Sequence, residues 1–156
     1  MSDLSEGAQA PDFEVAGPEG PITLASFKGK PLVVYFYPKD DTPGCTKESQ
    51  AFSALAGEFS KAGAALLGVS KDSLARHAKF TAKYDLSVPL GSDPDGAMIE
   101  RYGSWVEKTL YGRQYMGIDR STFLIGADGK LVRIWRKVRV PGHAEAVLEA
   151  VKSLKG

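Results

Sequence analysis

Between Pro31 and Pro38 the chain runs Leu32-Val33-Val34-Tyr35-Phe36-Tyr37 without a polar break. A β-branched and aromatic run closed by proline at both ends is the pattern of a strand covered on both faces, and it predicts a central strand. Just beyond it the period changes. Phe52, Leu55, Ala56 and Phe59 follow i, i+3, i+4, i+7 spacing, which predicts a helix that begins at Thr42 and stops at Gly63. Ala65 to Ser70 reads as a second buried strand, followed by a helix around Ser73 to Tyr84 with Ser73 as its cap. A crossover of that length returns the chain in the same direction, so the two strands should be parallel. Further on, Thr122 to Ile125 and Leu131 to Val138 flank Asp128-Gly129, a turn signal that predicts an antiparallel hairpin. A last helix is expected over His143 to Leu154, and Gly17-Pro18-Glu19-Gly20-Pro21 reads as a turn. These elements predict an α/β fold, a mixed sheet with helices on both faces.

With 156 residues the chain is expected to form one domain, 1–156. Lys plus Arg is 20 and Asp plus Glu is 19, so no whole-molecule field draws in nucleic acid or anionic lipid. The six residues Leu32 to Tyr37 are the longest apolar run, far short of the ~20 needed to cross a bilayer. The N-terminus, Met-Ser-Asp-Leu-Ser-Glu-Gly, carries acids rather than a basic-plus-apolar leader, so a cytoplasmic location is expected. Arg133, Arg136, Lys137 and Arg139 around Trp135 read as the polar face of an exposed strand, since charges there discourage edge pairing. Asp93-Pro94-Asp95-Gly96 lacks calcium-loop spacing and reads as a turn, and Asp40-Asp41 reads as acids drawn to a helix N-terminus. His77 falls mid-helix and His143 at a helix start, and neither is read as an acid or base. No metal site and no cofactor loop is expected.

There is one cysteine, Cys45, so a disulfide within the chain is arithmetically impossible. Thr42 and Pro43 read as N-cap and first helical residue, with the threonine side chain accepting from an orphan N–H. Cys45 then falls in the first turn, where unpaired amides and the positive end of the helix dipole favour thiolate over thiol. An inert cysteine would be expected within the apolar stripe; this one lies among Thr42, Thr46, Lys47 and Glu48, which points to a nucleophile.

Pro38-x-x-x-Thr42-x-x-Cys45 resembles the peroxiredoxin active-site signature, and Thr42-Pro43-Gly44-Cys45-Thr46-x-Glu48 is similar to the bacterioferritin comigratory protein, or peroxiredoxin Q, branch. Ala10-Pro11-Asp12-Phe13, the stretch from Tyr111 to Ile125, and Gly142-His143 with Val147-Leu148 resemble that branch in the same order. The resemblance implies a thioredoxin-like fold and a thiol peroxidase of antioxidant defence, acting on hydrogen peroxide or alkyl hydroperoxides. It implies that Cys45 is the peroxidatic nucleophile, Thr42 a hydrogen-bond partner of thiolate and peroxide, and Pro38 a shield of the sulfur. It makes Arg120 the activating cation, with Glu48 positioning it. Where relatives carry a resolving cysteine this chain has Gln50, or a residue near Thr81. It is thus similar to the one-cysteine members, whose sulfenic acid is reduced by an outside thiol such as thioredoxin, glutaredoxin or glutathione. A monomer is expected. The competing reading is a non-enzymatic binding module or holdase on the same fold; Cys-x-x-Cys chemistry is excluded because Glu48 stands at the second position.

Overall fold

The computed structural model describes residues 4–154, so Met1 to Asp3 of the acidic N-terminus and residues 155–156 lie outside the described residues. The predicted central strand is β3, Leu32–Phe36, buried at every position. Its side chains alternate between two cores, as a pleated strand requires. Val33 and Tyr35 join Tyr37, Phe52, Phe59 and Phe80 on one face, and Leu32, Val34 and Phe36 join Met98, Ile99 and Tyr102 on the other.

Seven strands surround this axis: β1 (Glu14–Gly17), β2 (Gly20–Thr23), β3, β4 (Ala65–Ser70), β5 (Leu90–Ser92), β8 (Ser121–Ile125) and β9 (Leu131–Trp135), in the order β2-β1-β5-β4-β3-β8-β9. β3 pairs parallel with β4 and antiparallel with β8, so the sheet is mixed, as expected. A separate hairpin, β6 (Trp105–Leu110) with β7 (Arg113–Ile118), precedes β8. The helices are α1 (Pro43–Ala54), α2 (Ala56–Lys61), α3 (Leu74–Tyr84), α4 (Ala97–Arg101) and α5 (His143–Lys152). Phe52, Phe59, Phe80 and Val147 place α1, α2, α3 and α5 on the first core face, and Met98 and Ile99 place α4 on the second.

Two boundaries differ from expectation, and one hairpin is additional. The helix from Thr42 to Gly63 is two helices, broken at Leu55, whose φ of −99° and ψ of 5° leave helical geometry. Ala56-Gly57 opens the second piece, where glycine is a weak helix former. β9 ends at Trp135 rather than Val138, because Arg136 turns its guanidinium to the carbonyls of Tyr102 and Gly103, and Lys137 adopts a φ of 49°. The Gly17 to Pro21 cluster is the turn of the β1–β2 hairpin. The β6–β7 hairpin was not foreseen. Its turn, Tyr111-Gly112, has positive φ at both positions, the backbone that a two-residue hairpin loop demands, but glycine follows tyrosine there rather than asparagine or aspartate.

Candidate active site

β3 ends beside the start of α1, and residues 37–42 connect them. Thr42 is extended, with φ −102° and ψ 156°, and Pro43 occupies the first turn, as the sequence predicts. The threonine side chain does not cap the helix. Its hydroxyl donates to the Lys39 carbonyl at 2.8 Å, closing the loop on itself and leaving the oxygen's lone pairs available. The first helical bond runs from Thr46 N–H to the Thr42 carbonyl, so the amides of Gly44 and Cys45 lie ahead of the intrahelical ladder.

Cys45 is 1% exposed and packs in the core layer with Tyr35, Tyr37 and Phe52. The expectation that it lies outside the buried stripe is therefore corrected. The buried residues of α1 are Cys45, Thr46, Glu48, Ser49 and Phe52, and the three polar ones disguise this face in the sequence. Ser49 is satisfied by the Tyr35 hydroxyl at 2.8 Å.

Arg120 reaches this face from the turn between β7 and β8. Asp119 N–H donates to the Ser104 carbonyl at 2.7 Å, Ser121 Oγ donates to the Asp119 carbonyl, and Val138 N–H donates to the Arg120 carbonyl at 2.9 Å. With its backbone held from both sides, Arg120 points Nη2 at Cys45 Sγ, 3.3 Å away, and donates through Nη1 to Glu48 Oε1 at 2.7 Å. One guanidinium thus serves two acids one helical turn apart. Gly44 makes room for it, since a Cβ there would stand 3.1 Å from Nη2. Sequence reasoning missed Gly44; its signal was a poor helix former inside a first turn.

Burial pushes the Glu48 carboxyl up to about 7, with the Arg120 charge pulling it partway back. Glu48 Oε2 is buried and has no partner, the one such side-chain nitrogen or oxygen among the described residues. For Arg120, burial opposes the charge, but Glu48 and the Cys45 sulfur outweigh it, and the guanidinium is held above its ordinary value. His143 sits at the start of α5, edge-on to Phe52 and Trp135, with Nε2 2.8 Å from Thr122 Oγ1. Burial, with help from the Arg120 charge, pushes it down to about 4, so it is neutral at pH 7.

Of the sequence-predicted residues, Cys45, Glu48 and Arg120 meet directly, and Thr42 stands at the helix start beside them. Pro38 follows β3 as an exposed residue. Gln50 is exposed on α1, and Thr81 lies on α3. Asp40 and Asp41 do not serve the helix dipole. Asp40 is buried and bonds Tyr37 and His77, and Asp41 pairs with Lys83 and Tyr84, so both tie the loop to its surroundings.

Residues 7–134 match the model of the AhpC/TSA family. Peroxiredoxin Bcp of Xanthomonas campestris is 53% identical over 131 residues, which is 84% of this chain and 82% of that protein. A solved structure of the Xanthomonas campestris bacterioferritin comigratory protein, from work on its alkyl peroxide reduction activity, superposes with a TM-score of 0.89 at 46% identity, covering 96% of this chain and 98% of that one. The Xylella fastidiosa PrxQ, solved as a cysteine-to-serine mutant, reaches a TM-score of 0.91 at 39% identity and 98% coverage of both chains. The fold expected from the resemblance is thereby the one observed, and the chain belongs to the AhpC/TSA family, in its bacterioferritin comigratory protein or peroxiredoxin Q branch.

Proposed function

We propose that this chain reduces hydrogen peroxide and alkyl hydroperoxides at Cys45 in a one-cysteine cycle completed by an outside thiol. The observation that carries the reading is the contact of Arg120 Nη2 with Cys45 Sγ at 3.3 Å in the first turn of a helix. A cation there stabilises the thiolate and meets the charge that develops on the peroxide as its O–O bond breaks. The Thr42 oxygen and the amides of Gly44 and Cys45 supply polar contacts for the peroxide. Attack by the thiolate forms the S–O bond and breaks O–O; the leaving oxygen departs as water or alcohol once it gains a proton, and Cys45 becomes a sulfenic acid. A donor thiol then condenses with it, releasing water and leaving a mixed disulfide. A second thiol frees Cys45 and carries the disulfide away.

Thioredoxin, glutaredoxin and glutathione are the candidate donors, because no second cysteine exists in the sequence to resolve the sulfenic acid. Burial of the sulfur adds a condition: the first turn of α1 must open for a bulky thiol to reach it. A monomer in the cytoplasm, where glutathione and thioredoxin keep thiols reduced, fits this reading. A mere binding module would not need a guanidinium on its only sulfur.

The test is peroxide consumption by purified protein with each thiol donor in turn. Wild type should turn over with at least one donor, and Cys45→Ser should be inactive. Activity that survives Cys45→Ser, or turnover with no thiol added, would reject the reading.

A further inference from the structure

The one guanidinium at the site is asked to balance two acids. Arg120 Nη1 donates to Glu48 Oε1 and Nη2 contacts Cys45 Sγ, while Glu48 Oε2 is buried with nothing to accept from or donate to. Cys45 and Glu48 are i and i+3 on α1, with Cβ atoms expected ~5–6 Å apart. Among the described residues the groups facing Glu48 offer no second cation. β3 brings Tyr35, whose hydroxyl is paired with Ser49 and which burial keeps neutral. α5 brings His143 near Arg120, and it too is neutral at pH 7. With Cys45 as thiolate and Glu48 ionised, the buried cluster would carry a net negative charge; with Glu48 protonated it is neutral. A buried group that can shed an unbalanced charge by taking a proton does so.

We infer that Glu48 holds a proton while Cys45 is a thiolate and gives it up, to the leaving oxygen of the peroxide, as the sulfur is oxidised. The balance closes without solvent. Thiolate and carboxylic acid with ROOH become sulfenic acid and carboxylate with ROH: S–O forms, O–O breaks, and the Glu48 proton ends on the alcohol or water. Arg120 carries one negative partner before the step, the sulfur, and one after it, the carboxylate. The cluster keeps its charge throughout, so the surrounding apolar layer never has to accommodate a change. The raised titration point of Glu48, about 7, agrees with a group that changes hands near neutral pH. This gives Glu48 a role beyond positioning Arg120, and it rests on the peroxidase reading above.

The experiment mixes reduced protein with one equivalent of hydrogen peroxide in weak buffer with a pH indicator. It is run a little above the pH of about 7 that burial and Arg120 set for Glu48, so that the carboxyl is ionised once the sulfur is neutral while a neighbouring thiolate keeps the proton on in the reduced protein, and the 240 nm thiolate absorbance confirms that the sulfur is ionised at the start. Wild type should form sulfenic acid with no net proton uptake. Glu48→Gln, which keeps an acceptor for Arg120, should take up about one proton per sulfenic acid and lose rate by ~100-fold, as for a missing general acid. The wild-type rate constant should also fall as pH rises through the Glu48 titration, and this fall should be absent in Glu48→Gln. Glu48→Asp, which keeps an acid, should bring the proton count back toward zero. Equal proton counts in wild type and Glu48→Gln, or an uptake of one proton by wild type itself, would overturn the inference. The second result needs no variant to fold. Failure of wild type to consume peroxide at all would instead sink the peroxidase reading.

Discussion

Just before α1 begins, Asp40 ties Tyr37 to His77; one turn inside it, Arg120 ties Cys45 to Glu48. Both networks are buried and both bridge distant parts of the chain, yet they are finished differently. In the first, His77 Nδ1 lies 2.6 Å from Asp40 Oδ2 and Nε2 donates to the Gly91 carbonyl at 3.0 Å. Tyr37 satisfies Oδ1, and the Asp40 amide donates to Asp72. Every polar atom has its partner. In the second, two acids share one cation and a carboxyl oxygen has none. A network whose partners are all met favours one arrangement and holds it. One that is short of a partner can exist in two protonation states of similar cost, which suits a group that must change state once per turnover.

The comparison breaks most visibly through His77. His77→Ala leaves Asp40 buried without its main partner, and removing one member of such a pair costs ~3–5 kcal/mol. Denaturant unfolding should show that loss, while the rate constant with peroxide per folded molecule changes far less than in the Arg120 variant. A loss under ~1 kcal/mol would mean that the two networks do not differ as described.

Arg120→Met is the complementary case. It should lower the second-order rate with peroxide by ~100-fold or more, the size of one lost transition-state contact. Its stability cost should be smaller than that of His77→Ala, because Glu48 and Cys45 can both hold protons once the cation is gone, whereas His77→Ala also leaves the buried Gly91 carbonyl, which cannot take one, without its donor. Stopped-flow rates and unfolding midpoints on the same two variants check both halves. A rate within a few-fold of wild type would reject the role of Arg120.

How far each network was legible follows from its span. The helix start at Thr42-Pro43 and the position of Cys45 in the first turn are local facts, set by capping and by the fixed φ of proline, and they could be read directly. The central strand and its parallel neighbour were equally plain, because a both-faces-buried strand needs no partner to declare itself. The bond between Asp40 and His77 crosses 37 residues and the Arg120 contact with Cys45 crosses 75, and neither distance leaves a trace in periodicity. Arg120 was singled out only because the stretch from Tyr111 to Ile125 resembles a known family; Asp40 and His77, with nothing to mark them, were read as a dipole acid and a mid-helix residue. Cys45 was placed outside the core because it lies among Thr42, Thr46, Lys47 and Glu48, yet Thr46 and Glu48 are themselves buried with it. Buried polar residues hide a core face from any reading built on hydrophobicity.

Gly44 sharpens the geometry of the site at smaller cost. A methyl group added there would stand 3.1 Å from Arg120 Nη2, so the guanidinium must shift by a few tenths of an ångström. Misplacement of ~1 Å costs ~100-fold, so Gly44→Ala should slow the peroxide reaction by roughly 10-fold or less. The helix itself should gain slightly, since alanine replaces glycine in a helical turn. A slower enzyme with an unchanged or raised melting temperature is the expected result; an unchanged rate would mean that the guanidinium position is not critical at that scale.

The smallest effect is one of pH on stability, and it compares two groups packed near the same guanidinium. Glu48 titrates near 4.5 in an unfolded chain and is raised to about 7 in the fold. Between those values the folded state holds a proton that the unfolded state has lost, so the stabilisation, full below 4.5, is lost as pH rises to about 7. His143 runs the other way. Its ordinary value of 6.5 falls to about 4 in the fold, so between these the unfolded state holds the extra proton, and stability present above 6.5 is lost as pH falls to about 4. Where the windows overlap the two slopes, each ~1 kcal/mol per pH unit, oppose one another. Glu48→Gln removes the falling slope, so its stability relative to wild type should climb between pH 5 and pH 6.5 by ~1 kcal/mol per unit. His143→Asn should show the reverse trend relative to wild type. Differences between variants and wild type cancel the background of other carboxylates, so unfolding free energies measured at a few pH values decide the matter. Parallel curves for Glu48→Gln and wild type would mean that the carboxyl is ionised in the fold across this range, and that the site is not short of charge after all.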